Sequence, residues 1–248
     1  MQLSIRHLPT TLLLLACTAC HATTARADDA PKTIDEAYQR LATLFGKPQD
    51  PAKLTRFVID EEIETQPDKD GPKVIVVNKG QEVLTNPTID GESIVYSQNE
   101  ILVRDVFNES NDGKRKLNRH LDRTYAMENR ITRFSGLWIV QRRLVNHSLP
   151  RFSRMTISTG TVKWLDNGIE LAMSGFDTFY APDGTVQPKA YVSIDRYTTD
   201  GDKLVYESLF KSYKAAADPD GAQLLAPDLD KPSGKPISLK RVSEPRTK

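Results

Sequence analysis

The chain has 248 residues, 38% of them hydrophobic and 27% charged, with a formal net charge of +1. That length holds one large domain or two small ones, and the apolar content exceeds that of chains too polar to bury a core. The near-neutral balance excludes a uniform polyanion-binding surface, so no nucleic acid is expected as a partner. The composition also excludes multi-span membrane, coiled-coil and collagen-like classes.

Met1 to Ala27 reads as a bacterial export signal, with Arg6 and His7 in a polar n-region, an apolar stretch centred on Leu12 to Ala16, and Ala25-Arg26-Ala27 as the cleavage site. The stretch is shorter than the roughly 20 residues that a spanning helix needs. Within it, Leu14-Leu15-Ala16-Cys17 resembles the lipobox of bacterial lipoproteins, which implies acylation and membrane anchoring at Cys17. Either route places the mature protein in the periplasm, free or as an outer-membrane lipoprotein. Both cysteines, Cys17 and Cys20, lie inside this segment, so the exported domain has neither a disulfide nor a thiolate metal site.

Residues 28–33 form a polar linker. Thr33 with Glu36 makes a capping box. Ile34, Ala37, Tyr38, Leu41, Leu44 and Phe45 then fall on one helical stripe that Gly46 ends. A second short helix is predicted from Asp50 and Pro51. From Phe57 the period becomes two, punctuated by Asx-Gly pairs such as Asp90-Gly91, Asp112-Gly113, Asp183-Gly184 and Asp200-Gly201, the signature of an antiparallel meander. The pattern predicts strands at 57–64, 73–77, 94–96, 101–108, 134–146, 153–159, 161–165, 169–180, 189–198 and 203–213. Residues 115–131 suit a helix or a strand, with strand favoured. Residues 214–248 are Pro-rich and aperiodic, and read as a mostly disordered tail.

One β-rich domain is thus expected over 34–213: a mainly β fold, with a curved antiparallel sheet closing into a barrel or half-barrel and an N-terminal amphipathic helix packed across one end. Charge along it is uneven. Residues 100–160 hold 12 basic and 6 acidic residues, against 8 and 14 in residues 28–99. Strand alternation would place most of these charges on solvated faces; the alternative is a basic surface that recognises an acidic partner.

Catalytic and cofactor motifs are lacking. There is no HExxH, GxSxG, phosphate loop or dinucleotide fingerprint, and only His120 and His147 follow the signal, so neither a metal nor a cofactor is expected. Gly136-Leu137-Trp138 resembles the G-x-W of lipocalins, but too much ordered chain precedes it for that topology. Parity is more informative. It places Trp138 and Arg142 on the face of Val140 and Leu144, Asp177 on that of Leu171 and Met173, and Arg196 with Ala190, Val192 and Ile194. Trp138, Arg142, Asp177 and Arg196 are therefore the candidate ligand-binding residues, as inward groups around an apolar interior. The function expected is a non-enzymatic cell-envelope protein that binds a small apolar or amphipathic ligand, or another envelope component. The alternative is an enzyme built on a cone-shaped α+β barrel of the nuclear-transport-factor-2-like type, with Asp177 as base and Arg196 stabilising an oxyanion. Intact-mass measurement of protein from its native envelope is expected to show loss of residues 1–27, or of 1–16 with acyl mass on Cys17; a full-length main species would refute export.

Overall fold

A computed structural model of the chain describes residues 30–46, 54–65, 73–149, 152–217, 224–232 and 236–244. The expected export segment with Cys17, and the helix expected at Asp50, lie outside the described residues. From Pro31 onward the described chain belongs to one compact unit. It contains one helix, α1 (Ile34–Phe45), and twelve strands: β1 (Thr55–Thr65), β2 (Lys73–Leu84), β3 (Thr88–Asp90), β4 (Ser93–Glu109), β5 (Arg115–Phe134), β6 (Leu137–Leu149), β7 (Phe152–Leu165), β8 (Gly168–Tyr180), β9 (Val186–Asp200), β10 (Lys203–Ala217), β11 (Leu224–Pro232) and β12 (Ile237–Val242).

The helix begins as its residues dictate. Thr33 stays extended and its hydroxyl accepts from the Glu36 N–H, while the Glu36 carboxyl accepts from the Lys32 N–H. Gly46, at a φ of 99°, ends it by donating to the Ala42 carbonyl. Ala37, Leu41, Leu44 and Phe45 form its buried stripe. Each large side chain on that stripe contributes about 1.5–3 kcal/mol.

All strands join one antiparallel sheet, ordered β1-β2-β4-β5-β6-β7-β8-β9-β10-β11, with β3 beside β4 and β12 beside β10. Tight turns make this order. Between β5 and β6, Ser135 and Gly136 both take positive φ, 48° and 81°, as a two-residue hairpin requires. The ambiguous segment 115–131 is a strand, paired along its length with β4. Predicted strands 153–159 and 161–165 are one strand, β7, which runs through Gly160. That glycine marks close approach rather than a break, since a Cβ there would lie 1.9 Å from the Ala172 carbonyl oxygen of β8.

The sheet curls until its ends nearly meet. Beyond β12, the Glu244 N–H donates to the Arg56 carbonyl of β1 at 2.8 Å, so the chain's last described residues reach its first strand. This corrects the expectation for the tail. Within 214–248, residues 237–242 form β12, because β10 offers an unpaired edge over Val205 to Phe210. Predicted strands 94–96 and 101–108 are likewise one strand, β4, and the predicted strand 134–146 begins only after the Ser135-Gly136 turn, as β6. As expected, α1 packs across one end of the curled sheet. Phe45 lies 4.8 Å from the Tyr96 ring and 5.4 Å from that of Tyr197, and Trp138 meets Trp164 edge-on at 5.4 Å.

The seam also carries charge. Arg241 of β12 reaches Glu61 of β1 at 3.2 Å, Glu100 of β4 at 2.8 Å, and Glu82 of β2. Replacing it strands buried carboxyls. Arg241→Leu is expected to destabilise the fold by about 3–5 kcal/mol, read in thermal melts; a melt unchanged within error would show that the seam does not depend on it.

Candidate functional site

Inside the barrel, polarity changes with depth. Next to α1 the inward positions are apolar or aromatic, among them Ile94, Ile131, Trp138, Val140, Ile169 and Leu171. One further step along the same strands, the inward residues are Gln98, Asn129, Arg142 and Asp195, all buried. The cause is alternation combined with register: β4, β5, β6 and β9 each present a polar residue two positions past an apolar one.

Arg142 is the hub of that layer. Its Nε donates to Asn129 Oδ1 at 2.8 Å, and its Nη1 to Asp195 Oδ2 at 2.5 Å. Asp195 also accepts from the Ser208 hydroxyl at 2.5 Å. Burial by itself favours loss of the Arg142 proton, but the Asp195 carboxylate, together with the surrounding Tyr197, Tyr125 and Tyr206, reverses the balance and holds the guanidinium charged. Four buried polar atoms here have no partner among the described residues: Arg142 Nη2, Asn129 Nδ2, the Ser193 hydroxyl and the Tyr96 hydroxyl. Leaving such a group unmet costs about 1–3 kcal/mol. Arg142 Nη2 and Asn129 Nδ2 only donate, so what would satisfy them is an acceptor. The Arg142–Asp195 pair is already neutral, which favours an uncharged one. Met127, Leu144 and Met173 are the buried apolar neighbours.

The sequence-predicted residues divide. Trp138 faces inward, but it belongs to the α1 end, where its indole N–H donates to the Pro31 carbonyl at 2.9 Å. Arg142 faces inward as expected. Asp177 also does, and the β7–β8–β9 register runs past Gly175 without a shift. Its carboxyl accepts from the Thr156 hydroxyl and lies 3.5 Å from Arg154 Nη1; burial raises its pKa, with Arg154 opposing. Arg196 is the correction. It lies on the outer face, 47% exposed at its side chain, and pairs with Glu170 at 2.5 Å. The inward residues of β9 are Tyr191, Ser193, Asp195 and Tyr197, because register sets Asp195 opposite the buried Leu171. Asp177 and Arg196 therefore do not meet, and the pair that an enzymatic reading needs is not formed.

The basic stretch is likewise dispersed. Arg115 pairs with Glu62 and Glu109, Arg123 with Glu100, Arg130 with Asp90, and Arg154 with Asp177. Arg104 turns inward and donates to Asn78 at 2.8 Å. Among the described residues no group of His, Cys, Asp and Glu is arranged to hold a metal ion.

Sequence reasoning missed the interior carboxyls, Glu61, Glu82 and Glu100, which Arg241 collects. Glu82 and Glu100 share the inward parity of Leu84 and Leu102, the one signal available for them. Comparison with family models, curated proteins and solved structures finds no match to the chain.

Burial pushes the Glu82 carboxyl from its ordinary 4.5 up to about 7, with Arg241 pulling the other way. An acid whose pKa is raised on folding takes up a proton between the two values. Its contribution to stability is therefore largest below pH 4.5 and is lost as pH rises through 7. Melts from pH 5 to 8 are expected to show wild type losing stability relative to Glu82→Gln, with the variant ahead by about 1 kcal/mol or more at pH 8. Parallel curves would refute the raised pKa.

Proposed function

We propose that this chain is an exported bacterial cell-envelope protein that binds a small amphipathic molecule inside its barrel without catalysing a reaction on it. The observation that carries the reading is the group of unpaired buried donors around Arg142, beside an apolar wall of Met127, Leu144 and Met173. Natural interiors satisfy nearly all such groups. A ligand whose uncharged oxygen accepts from Arg142 Nη2 and Asn129 Nδ2, and whose chain lies on the methionines and leucine, would satisfy these. The export segment supplies the compartment, and Cys17 a means of anchoring there.

An enzymatic reading has less support, since Asp177 is engaged by Thr156 and Arg154 and has no cationic partner in Arg196. A surface that recognises an acidic partner through residues 100–160 has less support as well, because most of its described cations already carry an acid.

Native mass spectrometry of protein from its own envelope is expected to show a co-purified small molecule. Methyl 12-hydroxydodecanoate, an uncharged amphiphile with a terminal hydroxyl, is expected to bind in calorimetric titration. Ser193→Ala should weaken it by about 0.5–1.5 kcal/mol, the worth of one neutral hydrogen bond, with no loss of melting temperature. Absence of both a co-purified molecule and probe binding would overturn the reading.

A further inference from the structure

At the barrel end away from α1, the inward positions of β7, β8 and β9 bring two cations onto one aromatic ring. The Arg154 guanidinium carbon lies 5.9 Å from the Phe179 ring centroid and Lys189 Nζ lies 5.3 Å from it. Register makes the arrangement, setting Arg154 opposite Phe179 and Lys189 opposite Asp177. One carboxyl serves both cations. Asp177 is buried at 2% exposure, and among the described residues it is the acid paired with Arg154. Arg154 Nε is itself buried without a partner. Two positive charges thus share one negative charge, partly out of water, where screening is weaker than at an exposed surface. Deeper in the barrel the Arg142–Asp195 pair is balanced and carries no net charge. The two ends of the polar interior therefore ask for different chemistry.

We propose that this mouth binds the anionic group of the ligand, a carboxylate or phosphate headgroup held by Arg154 and Lys189 over the Phe179 face. The inference rests on the reading of the barrel as a binder of amphipathic molecules. It adds that the molecule is an anion, with its charge at the open end. Lys189 and Ser193 are four residues apart along β9, so the charged group and the neutral acceptor at the Arg142 donors are separated by roughly 13 Å at about 3.3 Å per residue.

Calorimetric titration at low ionic strength with 12-hydroxydodecanoate, its methyl ester and inorganic phosphate tests this. The acid is expected to bind about tenfold or more tightly than the ester, as a charge-assisted contact implies, and phosphate alone not to saturate the protein where the acid does. Lys189→Gln should bring acid and ester to near-equal affinity without changing the ester's own binding. Lys211→Gln, which alters a lysine over the Tyr213 ring on β10, should leave the ratio intact. Acid and ester binding equally to wild type would overturn the anionic mouth while leaving the barrel a binder. Phosphate binding as tightly as the acid would overturn the amphiphile as the source of the anion. Failure of acid and ester alike would remove the binding reading itself.

Discussion

A sheet of this many strands, curled on itself, brings the inward side chains of distant strands together, and something must cover or satisfy each of them. At one end α1 does so. Phe45, Leu41 and Ala37 enter among Tyr96, Tyr197 and Ile131, and the aromatic contacts there are close. A short helix of this length is marginal alone. Here the capping box starts it, but the apolar interior of the barrel is what holds it. Helix and sheet are each incomplete without the other.

Beyond the reach of α1 the interior turns polar, and the rule changes from filling to pairing. Buried charge is tolerated where its partners are in place, and this barrel supplies them from distant parts of the chain. Arg142 of β6 meets Asp195 of β9. Arg241, near the end of the chain, meets carboxyls of β1, β2 and β4, so the charge that neutralises the first strands arrives with the last. Such pairs add little net stability over apolar packing, but a mispaired register would strand them, which favours one closure of the sheet over its neighbours. Several donors around Arg142 find no partner in this interior, and the proposed site rests on them.

Much of the architecture was legible locally. Thr33, Glu36 and Gly46 delimit α1 as cap residues do anywhere. Hairpins follow Asp90-Gly91, Asp112-Gly113, Asp183-Gly184 and Asp200-Gly201, where Gly91, Gly113, Gly184 and Gly201 take positive φ. Parity along β6 and β8 correctly placed Arg142 and Asp177 inward, because in each strand one face is plainly the more apolar.

Strand β9 shows where such reasoning stops. Alternation says that Ala190, Val192, Ile194 and Arg196 share a face, and it is right. Which face turns inward is a property of the pairing with β8, where Leu171 stands opposite Asp195 and Glu170 opposite Arg196. Val192, Ile194 and Arg196 went to the outer face, where Ala190 is nonetheless covered, and Tyr191, Ser193, Asp195 and Tyr197 to the interior. Strand β12 is a second case. Ile237 to Val242 alternates too briefly, and with too much charge, to read as a strand; the open edge of β10 and the carboxyls awaiting Arg241 make it one. By itself the sequence determined the period, the turns and the helix, since each depends on residues within a few positions of one another. The tertiary structure alone decided which face of each strand is inside and which distant charges meet, because both depend on the register of strands far apart in the chain.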